Sequence, residues 1–138
     1  MIAFVDTSAI FAFLDQHDGN HLLATRRFSW LTSSGFTAVT SNHVVVEACA
    51  LLQRRIGLNA VRTFREEVLP LLVTRWVSER QHERGLSALL AANRRKLSIV
   101  DCVSFEIMRD NGIEKALAFD QHFEEQGFDC EIPISPAN

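Results

Sequence analysis

Four carboxylates stand where this sequence could do chemistry: Asp6, Glu47, Asp101 and Asp120. Asp6 ends the apolar run Met1–Val5, Asp120 ends the run Ala116–Phe119, and Asp101 follows Ser98 by three residues. Each aspartate has an ordinary explanation as a helix cap, because Asp, Ser and Thr satisfy the free N–H groups of a first turn. Ser98 with Asp101 also has capping-box spacing. Glu47 resists such an explanation. On a helix its neighbours at i−3, i+3 and i+4 are Val44, Ala50 and Leu51, and a carboxylate on an apolar face is costly without a partner. His43 at i−4, a cation or a water network could supply one. Carboxylates brought close together repel and resist ionisation unless a cation sits among them. Hard oxygen donors favour Mg2+ or Mn2+, and such ions stabilise the attacking and leaving oxygens of an in-line displacement.

Other chemistries find no footing. No Ser–His–acid order stands out, no Cys/His cluster has zinc spacing, and the six glycines are too dispersed for a dinucleotide or Walker A loop. Cys49, Cys102 and Cys130 are odd in number and lie in apolar contexts, so buried thiols in a reducing cytoplasm are expected. No apolar run approaches the roughly 20 residues of a membrane span, and no basic stretch precedes the first apolar run as in a secretory signal. A net charge of −3 is unlike the basic footprint of most nucleic-acid binders. Yet the bases are almost all arginine, the better fork for phosphate, and they come in groups: Arg26-Arg27, Arg54-Arg55, Arg62 with Arg65, and Arg94-Arg95-Lys96.

The elements that must position the acids follow from hydrophobic period and punctuation. Met1–Val5, apolar throughout, suits a central parallel strand buried on both faces, and Asp6 at its carboxyl end points into the crevice where open α/β sheets bind ligands. Helices are expected over 8–15, from Asn20 to Ser33, from Ser41 or Asn42 to Arg55, over 58–69, from the capping box Ser78–Gln81 to Asn93, from Ser98 to Arg109, and briefly over 122–126. Strands are expected over 36–40, 71–77, 116–119 and 130–134, with Pro133 placing the last at an edge. Residues 135–138 should be loose. Strands alternating with helices imply one domain over 1–138, a three-layer α/β/α sandwich with a mainly parallel sheet of about five strands.

Taken together, Asp6-Thr7-Ser8-Ala9 after the first strand, Asn42 through Glu47, Leu97-Ser98-Ile99-Val100-Asp101, and Ala118-Phe119-Asp120-Gln121-His122-Phe123 with Gly127-Phe128 resemble a PIN-domain nuclease, of the VapC-type ribonuclease toxins in particular. The resemblance spans nearly the whole chain. It implies a Mg2+- or Mn2+-dependent endoribonuclease acting on RNA. Asp6 and Asp101 would be the main metal ligands, with Glu47 and Asp120 completing the acidic pocket. Thr7, Ser8 and Ser98 would orient those ligands through hydroxyls. The resemblance further implies a cytoplasmic homodimer and a cognate antitoxin, for which the helical pair from Asn42 to Leu69, with Arg54, Arg55, Arg62 and Arg65, is the natural surface. Arg94, Arg95 and Lys96 are the best-placed RNA contacts, and Glu124-Glu125 could add an acidic ligand. His43 and His122 are expected near the pocket as structural hydrogen-bonders.

Three other readings share parts of the pattern. One is a phosphatase or phosphotransferase with Asp6 as nucleophile, for which the usual second acid two residues on is here Ser8. A receiver-like phosphoacceptor domain has no place for an acid such as Glu47 within a helix. A PIN-fold RNA-processing or binding protein outside a toxin–antitoxin pair would keep the fold, with or without cleavage.

Overall fold

A computed structural model describes residues 1–136 and contains a four-stranded, all-parallel sheet flanked by seven α-helices. In chain order the elements are β1 (Ile2–Val5), α1 (Thr7–Leu14), α2 (His21–Ser33), β2 (Thr37–Ser41), α3 (Asn42–Arg55), α4 (Leu58–Thr63), β3 (Val73–Arg75), α5 (Glu79–Ala92), α6 (Ile99–Asp110), β4 (Lys115–Leu117) and α7 (Gln121–Glu125). The spatial strand order is β3-β2-β1-β4. β1 is therefore central, and its Ala3, Phe4 and Val5 are fully buried, as an apolar run should be in a strand covered on both faces. The chain adds β2 and β3 on one side of β1 and then crosses to add β4 on the other. That reversal opens a crevice between the carboxyl ends of β1 and β4, where Asp6 and Asp120 follow their strands.

The α/β sandwich is the architecture expected, with four strands in place of about five. The strand anticipated over 130–134 does not form. Cys130 and Ile132 are buried and Glu131 and Pro133 exposed, so the segment alternates like a strand, but its pairing stops at one bridge between Asp129 and Lys115. Pro133 has no N–H to continue a ladder. The helix expected over 58–69 is broken up. After α4 the chain makes a π-helical turn at Phe64–Val68 and a 3-10 turn at Leu69–Leu71, with Pro70 in its first positions. This shortens β3 to three residues. Of the tail expected to be loose, Ser135 is tied to the Arg26 side chain and backbone, and residues 137–138 lie outside the described part. Cys102 and Cys130 are buried free thiols and Cys49 is half-buried. No helix among the described residues is long and apolar enough to cross a membrane.

Local signals explain the helix boundaries. Asp6, Ser41, Ser78, Ser98 and Asp120 each accept a first-turn N–H through their side chains. α5 ends on Asn93 in the left-handed conformation, a role Asn tolerates. α5 and α6 touch at Gly85, where a Cβ would sit 2.5 Å from Val103 Cγ2.

Candidate active site

The four acids converge at the carboxyl edge of the sheet, and three of them are held there by the caps they make. Asp6, 2% exposed, accepts from the Ser8 backbone N–H (3.1 Å) and the Ser8 hydroxyl (2.7 Å), both through Oδ2. Asp101 and Ser98 form the reciprocal capping box of α6, which occupies Asp101 Oδ2. Asp120 Oδ1 accepts from the His122 N–H at the start of α7. The capping and pocket readings of these residues are therefore compatible, because a cap occupies one oxygen and a carboxylate has two. Asp6 Oδ1 is buried without any hydrogen-bond partner, and so is Thr7 Oγ1 beside it.

Glu47, half-buried on α3, meets the cluster from the neighbouring helix. Burial holds its carboxyl above the usual range, the facing Thr7 hydroxyl works against that, and the charges of Asp6 and Asp120 add to it. His43, one turn earlier, does not pair with it. Its ring meets His82 edge-on with centroids 5.4 Å apart, and burial with the nearby His82 lowers its pKa. Burial pushes Asp6 up to about 6, against the Ser8 hydrogen bond and with help from Asp101. Burial likewise pushes Asp101 up to about 6, with Asp120 and Glu47 adding repulsion. These four carboxylates sense one another's charge, as groups sharing one pocket must.

Among the described residues, Asp101, Asp120 and His122 form a compact donor set, with one donor atom of each within 4.8 Å of the others. Asp6, expected to pair with Asp101 as a ligand, lies outside this tight group. His122 enters it, although the sequence marked that residue only as a structural neighbour. It is buried, with Nε2 3.7 Å from Asp120 and Nδ1 3.6 Å from Glu125. Its place was foreshadowed by Asp120-Gln121-His122, since a cap residue and the second residue of its helix must sit close. Arg94, expected to contact RNA, is engaged with Glu125 at 2.6 Å, while Arg95 and Lys96 are exposed.

Buried, mutually repelling carboxylates with an unpartnered inward oxygen are the arrangement a divalent cation would relieve. The profile of the PIN domain matches residues 3–129. This chain belongs to the PIN-domain family. The PIN domain here is 36% identical over 126 residues to the 23S rRNA-specific endonuclease VapC20 of Mycobacterium tuberculosis, in strains CDC 1551 / Oshkosh and ATCC 25618 / H37Rv, covering 91% of this chain and 94% of each relative. It also matches the crystal structure of Mycobacterium tuberculosis VapC20, described as a sarcin-ricin loop cleaving toxin, with a TM-score of 0.84 and 33% identity over 96% of this chain and 100% of that one. For a PIN domain the phosphotransferase reading, with Asp6 as nucleophile, loses its motivation. The position two residues after Asp6, where such an enzyme carries its second acid, is a serine bonded to Asp6.

Proposed function

We propose that this PIN domain is a metal-dependent endoribonuclease and the toxin of a toxin–antitoxin pair, cutting a structured RNA of the ribosomal kind on which VapC20 acts. The observation that carries the reading is the convergence of Asp6, Glu47, Asp101 and Asp120 from four segments distant in sequence, with Asp6 and Asp101 both pushed up to about 6. Oxygen donors suit Mg2+ or Mn2+. Asp101 and Asp120 would hold the ion, with Asp6 Oδ1 and the nitrogen of His122 adjoining. When bound, the ion neutralises charge on the phosphodiester and lowers the pKa of the attacking water. The protein's own groups orient the rest: Ser8 fixes Asp6, Ser98 fixes Asp101, and Glu47 accepts a hydrogen bond from water on the α3 side.

The antitoxin surface we propose is the cleft of 660 Å³ where α1, α2 and α4 meet, lined by Phe13, Leu14, Ile56 and Ala60. Arg54, Arg55, Arg62 and Arg65 stand exposed along the same helical pair. A cytoplasmic homodimer completes the reading, with sedimentation as its measure. The deciding experiment incubates the purified protein with ribosomal RNA. Cleavage is expected with Mg2+ or Mn2+ and none with excess chelator. Asp6→Asn and Asp101→Asn should keep the fold, since Asn caps a helix as well as Asp at position 6 and its Oδ1 can accept the Ser98 N–H at position 101, and lose at least about 100-fold in rate, the upper end for groups that merely support a metal. Full cleavage in chelator sinks the reading. Expression without an antitoxin should arrest growth, and Asp6→Ala should not.

A further inference from the structure

Trp76 keeps 79% of its surface exposed, and it does so at the carboxyl edge of the sheet. Phe4 pairs with Val39 and Ser41 with Arg75. Continuing the first ladder by two residues sets Asp6 level with Ser41. Asp6, Ser41 and Arg75 therefore share one row across β1, β2 and β3, and Trp76 lies one residue beyond it. Two strand spacings separate the indole's backbone from that of Asp6 laterally, about 10 Å.

The corner that carries Trp76 is fixed. The Val77 N–H donates to Asn42 Oδ1 at 2.7 Å, tying it to the first residue of α3. Ser78 and Gln81 then close the capping box of α5. Between this corner and the acids runs a polar lip. His43 sits on the α3 face that carries Glu47 one turn later, and its ring meets His82 of α5. Arg80, the second residue of α5, is exposed and without an ion pair among the described residues; Glu79 is exposed as well. The exposed Leu71 and Val73 precede the corner in step with Arg75, so strand alternation sends their row to the opposite side from Trp76. The indole is thus a lone exposed aromatic, four residues ahead of the free cation Arg80, rather than part of that apolar row. An exposed ring on a rigid corner, with a free arginine opening the next helix, suits a grip on unpaired nucleic acid, because every base has a π face.

We propose that Trp76 is a base-stacking platform that seats an unpaired nucleotide flanking the scissile phosphate, with Arg80 at an adjoining phosphate. This rests on the endoribonuclease reading of the acidic site. Trp76 is a positioning residue: it touches substrate away from the reacting atoms.

The chain has two tryptophans and no tyrosine, and Trp30 packs against Phe36 on the far side of α2 with centroids 5.1 Å apart. The part of the intrinsic fluorescence that Trp76→Phe removes therefore reports on Trp76. In the non-cleaving Asp101→Asn protein, titration with a short unpaired oligoribonucleotide should quench emission saturably. Trp76→Phe should remove the quench, and an abasic ribose-phosphate oligomer of equal charge should produce little. In the active protein, Trp76→Ala should raise KM for RNA about tenfold, the effect of one lost stack, with kcat within about twofold, and Trp76→Phe should recover most of the loss. An unchanged KM in Trp76→Ala, or an equal quench by the abasic oligomer, overturns the proposal. So does dissociation of a dimer on Trp76→Ala in sedimentation, which would assign the indole to a contact between copies. Failure of the unaltered protein to cut any RNA defeats the endoribonuclease reading instead, and the quenching titration still decides for Trp76.

Discussion

The Ser8 hydroxyl donates to Asp6 Oδ2 at 2.7 Å and at the same time accepts from the backbone N–H of Phe119 at 2.9 Å. One side chain thus joins the end of β1 to the segment that delivers Asp120, across a sequence separation of 111 residues.

Removing that hydroxyl should be felt in the chemistry more than in the fold. Ser8→Ala takes away the hydrogen bond that holds the Asp6 pKa down, so the Asp6 carboxyl should titrate above about 6. The acid limb of the pH–rate profile should move to higher pH, and cleavage at pH 6 should fall about tenfold, within the usual cost of losing a group that orients a metal site. Leaving the Phe119 N–H unpaired should cost about 1–3 kcal/mol of stability. A pH–rate profile and a denaturant melt on the same variant check both.

Stability should depend on pH in the direction opposite to that of an ion-paired aspartate. The Asp6 pKa is raised from 3.8 to about 6. Below about pH 4 the carboxyl is protonated in both states and no penalty exists. As pH rises toward 6 the unfolded chain ionises first and the folded one resists. Folding then loses on the order of 3 kcal/mol by neutral pH from this fully buried group. Asp101 adds a smaller loss of the same sign. In chelator, the melting temperature should fall between pH 4 and pH 7, and Asp6→Asn should flatten that fall. Saturating Mg2+ should raise the melting temperature more at pH 7 than at pH 5. A melting temperature in chelator that climbs over this range, with no flattening in the variant, would sink the argument.

Gly85 should tolerate no side chain. A Cβ there would sit 2.5 Å from Val103 Cγ2 and 3.1 Å from the Val103 backbone nitrogen, and backbone cannot step aside as a flexible side chain can. Gly85→Ala should destabilise by about 1–3 kcal/mol through overpacking, despite the better helix propensity of alanine. Chemical denaturation measures it, and a neutral or stabilising result would mean that α5 and α6 slide apart freely.

The arginine group ahead of α6 should split in its effects on RNA. Arg95 and Lys96 are exposed and free to meet phosphates, so Arg95→Ala should weaken binding across sequences and reduce the salt slope by about 1. Arg94 is held at 2.6 Å by Glu125, which also lies 3.6 Å from His122. Arg94→Ala should change the salt slope less and disturb the pH profile more. Filter binding of RNA at several salt concentrations separates the two.

Much of this geometry was legible in the chain because chemistry and fold use the same letters. The apolar run closed by Asp6, the cap residues Ser41, Ser78 and Ser98, and the burial cost of Glu47 each act locally, so sequence alone exposes them. What escaped was set by tertiary pairing. Cys130 through Ile134 alternates as a strand does, but no edge is paired to it beyond Asp129. The helix expected through Leu69 gives way to π and 3-10 turns, with Pro70 in the last of them, although Phe64 and Val68 would share one face of an α-helix as well. The acids beside His122 were not legible in the chain, because a histidine's neighbours depend on which groups the fold sets around it.

Asp6 and Asp120 cap helices with the groups they lend to the pocket, and Asp101 shares its capping box in the same way. Asparagine serves as a cap equally well. On the proposed function, one such substitution at any of the three should yield a chain that is inert yet intact on its surface. Such a chain is a decoy: it occupies whatever recognises the folded protein and does none of its work. If the proposed toxin role holds, then in a cell carrying both versions the harmless one should govern how much partner remains for the harmful one.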